Sequence, residues 1–283
     1  MALDSGWFTE INTSNGFAMS LKVKAKLHEE QSEYQRIEVY ETETFGRLMT
    51  IDGLVMLTDR DNFIYHEMMS HPALFAHPHP RNVLIIGGGD CGTLREVLKH
   101  PDVQRVQQVE IDERVTRVSE QFFPELCESN DDPRAELHFV DGIKWVKDAE
   151  DGFYDVIIVD STDPVGPAKG LFSRDFYRDC RRALGTNGII VGQSESPLFH
   201  LDLLKEMHGE MRAAEFLDIL TLNFPQCTYP SGWWSCTMAC KDMPLSGFRE
   251  EAVVERPFKT RYYNHGIHSA AMTAPTFLFD ALL

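Results

Sequence analysis

The feature that most restricts this chain is a rhythm that begins at Asn82, where short apolar runs start to alternate with segments of helical character. The runs cover residues 83–86, 106–111, 137–140, 156–159 and 189–191. Helices are expected near 94–99, 115–122, 143–146, 175–184 and 201–214. Strands this apolar are buried on both faces, and strands that alternate with helices pair in parallel. The sequence therefore predicts a doubly wound α/β sheet. Residues 216–223 and 233–240 read as two more strands, a hairpin that puts an antiparallel strand at or near the sheet edge.

The first 60 residues follow a different pattern. Residues 21–27 and 36–40 alternate apolar and polar side chains, the period of a half-buried strand. Asp52-Gly53 lies between two apolar runs and signals a hairpin. Asp61-Asn62 is placed to cap a helix over residues 63–75. The chain thus divides into an N-terminal β-strand domain, residues 1–60, and a Rossmann-like catalytic domain, residues 61–283.

The formal net charge is −17, which repels nucleic acid and anionic membranes and draws in cations. No apolar run approaches the roughly 18 residues that a membrane span needs. The first seven residues lack the basic and apolar regions of a secretory signal, so a cytoplasmic location is expected. The six cysteines form no CxxC pair and read as reduced thiols. His66, His71, His77 and His79 do not match the HExxH spacing, and no metal is expected.

In doubly wound sheets, ligands bind at the carboxyl ends of the strands. Those ends carry Asp90, Glu110, Asp141, Asp160 with Asp163, and Gln193 with Glu195, an acidic rim at almost every position. Gly87-Gly88-Gly89-Asp90-Cys91-Gly92 satisfies the GxGxxG pattern, and Glu110 stands where a dinucleotide fold has its ribose-binding acid. A dinucleotide would rest its pyrophosphate on the following helix N-terminus, against Asp90, with no Lys or Arg in the loop to compensate. Two like charges ~4 Å apart cost about 1 kcal/mol in water and several times that in a cleft. A sulfonium nucleoside carries no phosphate and suits the charge. Glu110 can hold its ribose hydroxyls and Asp141 its adenine amino group, which leaves Asp90 free for a cationic amine on the tail. S-adenosylmethionine carries a carboxylate beside that amine, so its decarboxylated form fits better. As solvated loop acids these residues would have no such role; their place at strand ends favours the functional reading.

Asp160-Ser161-Thr162-Asp163-Pro164-Val165-Gly166-Pro167 sets two carboxylates three residues apart on a turn stiffened by prolines. An ammonium becomes a nucleophile only on losing a proton. One carboxylate can accept that proton while the other positions the amine. An Asx-capped turn would use the same residue types, and the position after the fourth strand favours the chemical reading.

These stretches, with Gly6-Trp7-Phe8, Tyr34-Gln35, Asp59-Arg60-Asp61, Tyr65-His66-Glu67, Val109-Glu110-Ile111-Asp112, Asp141-Gly142, Thr228-Tyr229-Pro230-Ser231-Gly232 and Arg261-Tyr262-Tyr263-Asn264, resemble the spermidine synthase family of polyamine aminopropyltransferases over nearly the whole chain. The resemblance implies a methyltransferase-like Rossmann domain with a small N-terminal β domain, assembled as a homodimer or homotetramer. It implies that Asp160 is the catalytic base. Tyr65, His66, Asp163 and Tyr229 would form the polyamine site. Gln35, Asp90, Glu110, Asp141, Gly142 and Pro167 would hold decarboxylated S-adenosylmethionine, with Asp90 on the aminopropyl amine where the two sites meet. The substrates would be that donor and putrescine, and the products spermidine and methylthioadenosine. Two positions depart from the family: Cys91 stands where glycine is usual, and Lys169 where a non-basic residue is common. Arg261-Tyr262-Tyr263-Asn264 reads as structural.

A sulfonium is already a good leaving group, so aligning and deprotonating the amine suffices, and no metal or redox cofactor is required. Three alternatives stay open on the sequence. These are another acceptor (cadaverine, agmatine or spermidine), an S-adenosylmethionine-dependent methyltransferase on the same fold, and a polyamine-binding protein without turnover.

Overall fold

Two sheets organise the chain in the computed structural model, which describes residues 3–162 and 166–282, with the backbone alone for 166–168. The first has five antiparallel strands in sequence order: β1 (Trp7–Asn12), β2 (Phe17–Gln31), β3 (Arg36–Thr42), β4 (Arg47–Ile51) and β5 (Leu54–Thr58). Asp52 and Gly53 close the β4–β5 hairpin with φ of 51° and 81°. Left-handed backbone at both positions matches the twist of the flanking strands, which is why Asp-Gly signals this turn. β2 differs from expectation. It runs for 15 residues, and within 21–27 Leu21 alone is buried. Its neighbours satisfy its backbone while most of its side chains meet solvent, so alternation there does not report a core face.

After α1 (Asn62–Ala76) the chain builds the second sheet through β6 (Asn82–Gly87), α2 (Gly92–Leu98), β7 (Arg105–Glu110), α3 (Glu113–Phe122), β8 (Ala135–Phe139), α4 (Gly142–Asp148) and β9 (Tyr154–Asp160). A 3-10 turn (Gly166–Phe172) leads to α5 (Arg174–Ala183), β10 (Leu184–Gln193), α6 (Leu201–Ala213), β11 (Asp218–Pro225) and β12 (Trp233–Cys240). The order is β11-β12-β10-β9-β6-β7-β8. β12 runs antiparallel to both neighbours, with β11 at the edge beyond it. The predicted parallel pairing holds from β10 to β8. Val83 and Ile85 of β6 pack with the apolar residues of α1 and α2, whereas Leu84 and Ile86 pack with those of α5 and α6. Burial on both faces explains the unbroken apolar runs.

α1 begins where expected, but not for the expected reason. Asp61 occupies the N-cap position without capping. Its carboxylate accepts instead from the hydroxyls of Thr58 (2.5 Å) and Thr228 (2.8 Å), joining β5 and the β11–β12 loop to the start of the helix. Pro72 inside α1 offers no N–H to the Met68 carbonyl, and the Cys236 thiol lies 3.6 Å from that oxygen. Glu67, 1% exposed, accepts from the backbone N–H groups of Arg261, Tyr262 and Tyr263 at 2.7, 2.9 and 2.7 Å. That gives Arg261-Tyr262-Tyr263-Asn264 its structural role, holding the helix turn that carries Tyr65 and His66. Three helices follow β12: α7 (Glu250–Glu255), α8 (His265–Ala271) and α9 (Thr276–Leu282). Each has six or seven residues, too few to show a helical period in the sequence.

Val115 and Val118 of α3 pack against Ile37, Val39, Met49 and Ile51 of the first sheet. This seam sets the β4–β5 hairpin over the carboxyl ends of β6 and β7. Among the described residues no helix is long and apolar enough to cross a membrane.

Candidate active site

The glycine loop is shaped by what packs against it. Gly88 N–H donates to the Asp160 carbonyl at 2.7 Å, tying the end of β6 to the end of β9. A Cβ on Gly87, at φ 82°, would stand 2.2 Å from that same oxygen. A Cβ on Gly92 would stand 2.2 Å from the His66 ring. The pattern that resembles a phosphate loop is thus required by close contacts with Asp160 and His66.

Cys91 sits at the start of α2 with φ 65°, fully buried, its Sγ 3.7 Å from the Gly89 carbonyl. Left-handed backbone is costly for any residue with a Cβ. Cys91→Gly is therefore expected to stabilise the fold by up to ~1 kcal/mol with turnover unchanged, read from the denaturant midpoint. A destabilised, inactive variant would assign the thiol a role through Gln108, whose Nε2 lies 3.6 Å from the sulfur.

Asp160 lies at the carboxyl end of β9 with both oxygens engaged. Oδ1 accepts from the Tyr65 hydroxyl at 2.7 Å and Oδ2 from the Thr93 hydroxyl at 2.6 Å. Burial and the nearby Asp90 carboxylate push its pKa above the ordinary carboxylate range, against the pull of His66, Thr93 and Tyr65. Burial next to this anion drives the Tyr65 phenol well above its usual value, so it stays a donor.

Asp90 is not free, as the sequence suggested. Its Oδ1 accepts from Gly92 N–H at 2.7 Å, and its Oδ2 lies 3.1 Å from His66 Nε2. His66 Nδ1 is buried without a partner, so the neutral ring keeps its proton on Nε2 and donates it to Asp90. Burial alone would lower His66, but the carboxylate overrides it and raises the pKa. Asp90 responds in the opposite sense: burial would raise it, and His66 with the Gly92 N–H brings it below the usual value.

Glu110, 8% exposed, accepts from Asp112 N–H at 2.8 Å through Oε1. Burial pushes its pKa up to about 7. A raised carboxyl favours the fold below its unfolded pKa near 4.5, and that contribution is lost as the pH climbs through about 7. Glu110→Gln is expected to raise the melting temperature at pH 8 and change it little at pH 5, by on the order of 3 kcal/mol at most between the two. Equal shifts at both pH values would contradict the assignment.

Asp141 caps α4, with Oδ1 accepting from Ile143 and Lys144 N–H at 2.8 and 3.2 Å. Gln35 Nε2 donates to Asp112 at 3.0 Å, and Asp112 caps α3, so the first sheet is pinned to the helix beside the site.

A cavity of about 600 Å³ opens over these strand ends. Gln35, Tyr65, Asp90 and Glu110 line it, as do Asp141, Gly142, Asp160 and Tyr229. Tyr229 donates to the Met56 carbonyl and meets Tyr65 edge-on, ring centroids 5.8 Å apart. Among the described residues, His66 is not in the cavity lining; it abuts it through Asp90 and through the Tyr65 ring, centroids 5.7 Å apart. Asp163 and the Pro167 side chain lie outside the described residues. Two contributions escape sequence reasoning. One is an apolar wall of Met49, Ile51, Leu54 and Met56 from the β4–β5 hairpin, signalled only as a turn. The other is Thr93, one ordinary helix residue among many. The described lining holds five carboxylates, Asp52, Asp90, Glu110, Asp141 and Asp160, and no lysine or arginine.

Comparison with known proteins places this geometry. A family model for the spermine/spermidine synthase domain matches residues 62–249, and one for the spermidine synthase tetramerisation domain matches residues 6–59. A polyamine aminopropyltransferase from Thioalkalivibrio sulfidiphilus is 66% identical over 278 residues, covering 98% of each chain. Another from Methylococcus capsulatus is 63% identical, covering 98% of this chain and 96% of the relative. A spermidine synthase solved in complex with the transition-state analogue AdoDATO superposes with a TM-score of 0.95 at 35% identity, covering 100% of this chain and 96% of that one. The spermidine synthase of Thermotoga maritima gives 0.92 at 35% identity, with 98% and 94% covered.

Proposed function

The chain belongs to the spermine/spermidine synthase family, and from that premise we propose that it transfers the aminopropyl group of decarboxylated S-adenosylmethionine to putrescine. The observation that carries this reading is the charge of the cavity. Among the described lining residues, five carboxylates without a lysine or arginine suit a cationic donor and a cationic acceptor, and disfavour a phosphate or the carboxylate of S-adenosylmethionine.

In this reading Glu110, Asp141, Gly142, Gln35 and Pro167 hold the nucleoside, and Asp90, backed by His66, holds the aminopropyl amine. Tyr65, Tyr229 and Asp163 hold the acceptor. Asp160 takes a proton from the attacking amine. The nitrogen then attacks the carbon bonded to sulfur, the carbon–sulfur bond breaks, and its electron pair goes to sulfur, which leaves as neutral methylthioadenosine. Alignment and proton removal suffice, so the reaction draws on no cofactor beyond the co-substrate.

We place the division between the assembly domain and the catalytic domain at residue 60, the assembly as a homodimer or homotetramer, and the enzyme in the cytoplasm. An acceptor panel of putrescine, cadaverine, agmatine and spermidine with the decarboxylated donor, scored by product mass, tests the acceptor. Putrescine is expected to give the highest kcat/KM, and a tenfold preference for another amine would overturn that assignment.

A further inference from the structure

A carboxylate that must accept a proton from one direction has to be held in one plane, yet the terminal torsion of aspartate is broad and roughly two-fold. Two donors from different elements fix Asp160 here, Tyr65 from α1 on Oδ1 and Thr93 from α2 on Oδ2. Thr93 is fully buried in the first turn of α2, the helix opened by the glycine loop. Among the described residues its hydroxyl makes no other hydrogen bond: in place of the preceding helical carbonyl, it turns across to the end of β9.

We propose that Thr93 is a positioning residue for the proton-accepting step, orienting Asp160 and keeping it ionised through the hydroxyl hydrogen bond to Oδ2. The inference rests on the reading of Asp160 as the base. Among the described residues, the charged and titratable groups that face Asp160 are Tyr65 and His66 from α1, Asp90 from the glycine loop and Glu110 from β7. Burial, Asp90 and Glu110 favour the protonated acid. His66 favours the charged form, and so do the hydroxyl donors Thr93 and Tyr65.

The sign follows. Asp160 works as the carboxylate, so turnover fades as pH falls through its pKa. Without the Thr93 hydroxyl that pKa rises. With saturating donor and acceptor, Thr93→Val is expected to move the acidic limb of the kcat profile up by about one pH unit. At the pH of the wild-type midpoint this lowers kcat roughly five-fold, with the alkaline plateau within about threefold of wild type. Thr93→Ser, which restores a hydroxyl, should bring the limb back. KM for the donor should stay within about twofold, since the Thr93 hydroxyl bonds to Asp160 rather than to Gln35, Asp90, Glu110 or Asp141. Should the valine variant not fold, Thr93→Ala carries the same test. A limb at the wild-type position in the hydroxyl-free variant, or a serine variant that shifts as far as the valine, would overturn the proposal. Wild-type enzyme without aminopropyl transfer would instead overturn the functional reading, and a wild-type profile unaffected by Asp160→Asn would overturn Asp160 as the base.

Discussion

Asp160→Asn is expected to lower kcat at neutral pH by roughly 10²–10⁴-fold, the range that a positioned proton acceptor supplies. The free amine of putrescine titrates much like lysine, at ~10.4, so at pH 7 about one molecule in a few thousand has that amine neutral. The enzyme must remove the proton or wait for the rare neutral amine. Asparagine keeps the shape of the side chain, and its carbonyl oxygen can still accept from Tyr65 at the position of Oδ1. What it cannot do is take a proton. The backbone contact from Gly88 to the residue 160 carbonyl is untouched, so the glycine loop should hold its form. Glu110 ends β7 and Asp141 caps α4, away from β9, so donor affinity should change little. Activity should recover in part between pH 7 and 10 as solvent deprotonates the amine. A variant that keeps more than about a third of wild-type kcat at neutral pH would remove Asp160 from the role of base.

The second large effect is on the donor. Asp90→Asn is expected to weaken the decarboxylated donor by about 10–100-fold, the loss of one hydrogen bond between charged groups. S-adenosylmethionine, whose carboxylate Asp90 would repel in this reading, should lose far less, so the gap between the two ligands should narrow. His66 moves with this change. It loses the main partner that raises its pKa, leaving burial and Arg95 to lower it against the Asp160 carboxylate. Calorimetry with both ligands on both proteins gives the four affinities. Equal binding of the two donors to the wild-type protein would remove Asp90 from the recognition of the aminopropyl amine.

Much of this was readable from residue order because the relevant signals are local. The strand ends follow from apolar runs that stop at Gly87, Glu110 and Asp160. The residues just past them fall on one rim by topology alone, which is how Asp90, Glu110, Asp141 and Asp160 come to share a cavity. The Asp52-Gly53 turn is equally local. What residue order hid depends on distant contacts. Asp61 looks like a cap, yet Thr58 and Thr228 claim its carboxylate, one of them 167 residues away. Asp90 looks free until His66 is folded beneath Gly92. The second donor to Asp160 comes from Thr93, 67 residues earlier, and no spacing rule predicts such a pair. The segment from Gly87 to Gly92, which joins β6 to α2, shows the same limit from the other side. Its glycines fit a nucleotide pattern, but their necessity lies in the Asp160 carbonyl and the His66 ring.

The most direct test of the central claim, that this acidic cavity moves an aminopropyl group from a sulfonium donor to a diamine, is a mass balance. The protein is incubated with putrescine and either decarboxylated S-adenosylmethionine or S-adenosylmethionine, and every product is weighed by mass spectrometry. The account predicts spermidine and methylthioadenosine in equal amounts from the decarboxylated donor, and no methylated amine from the other. Methylated putrescine from S-adenosylmethionine, or no spermidine from the decarboxylated donor, would contradict it.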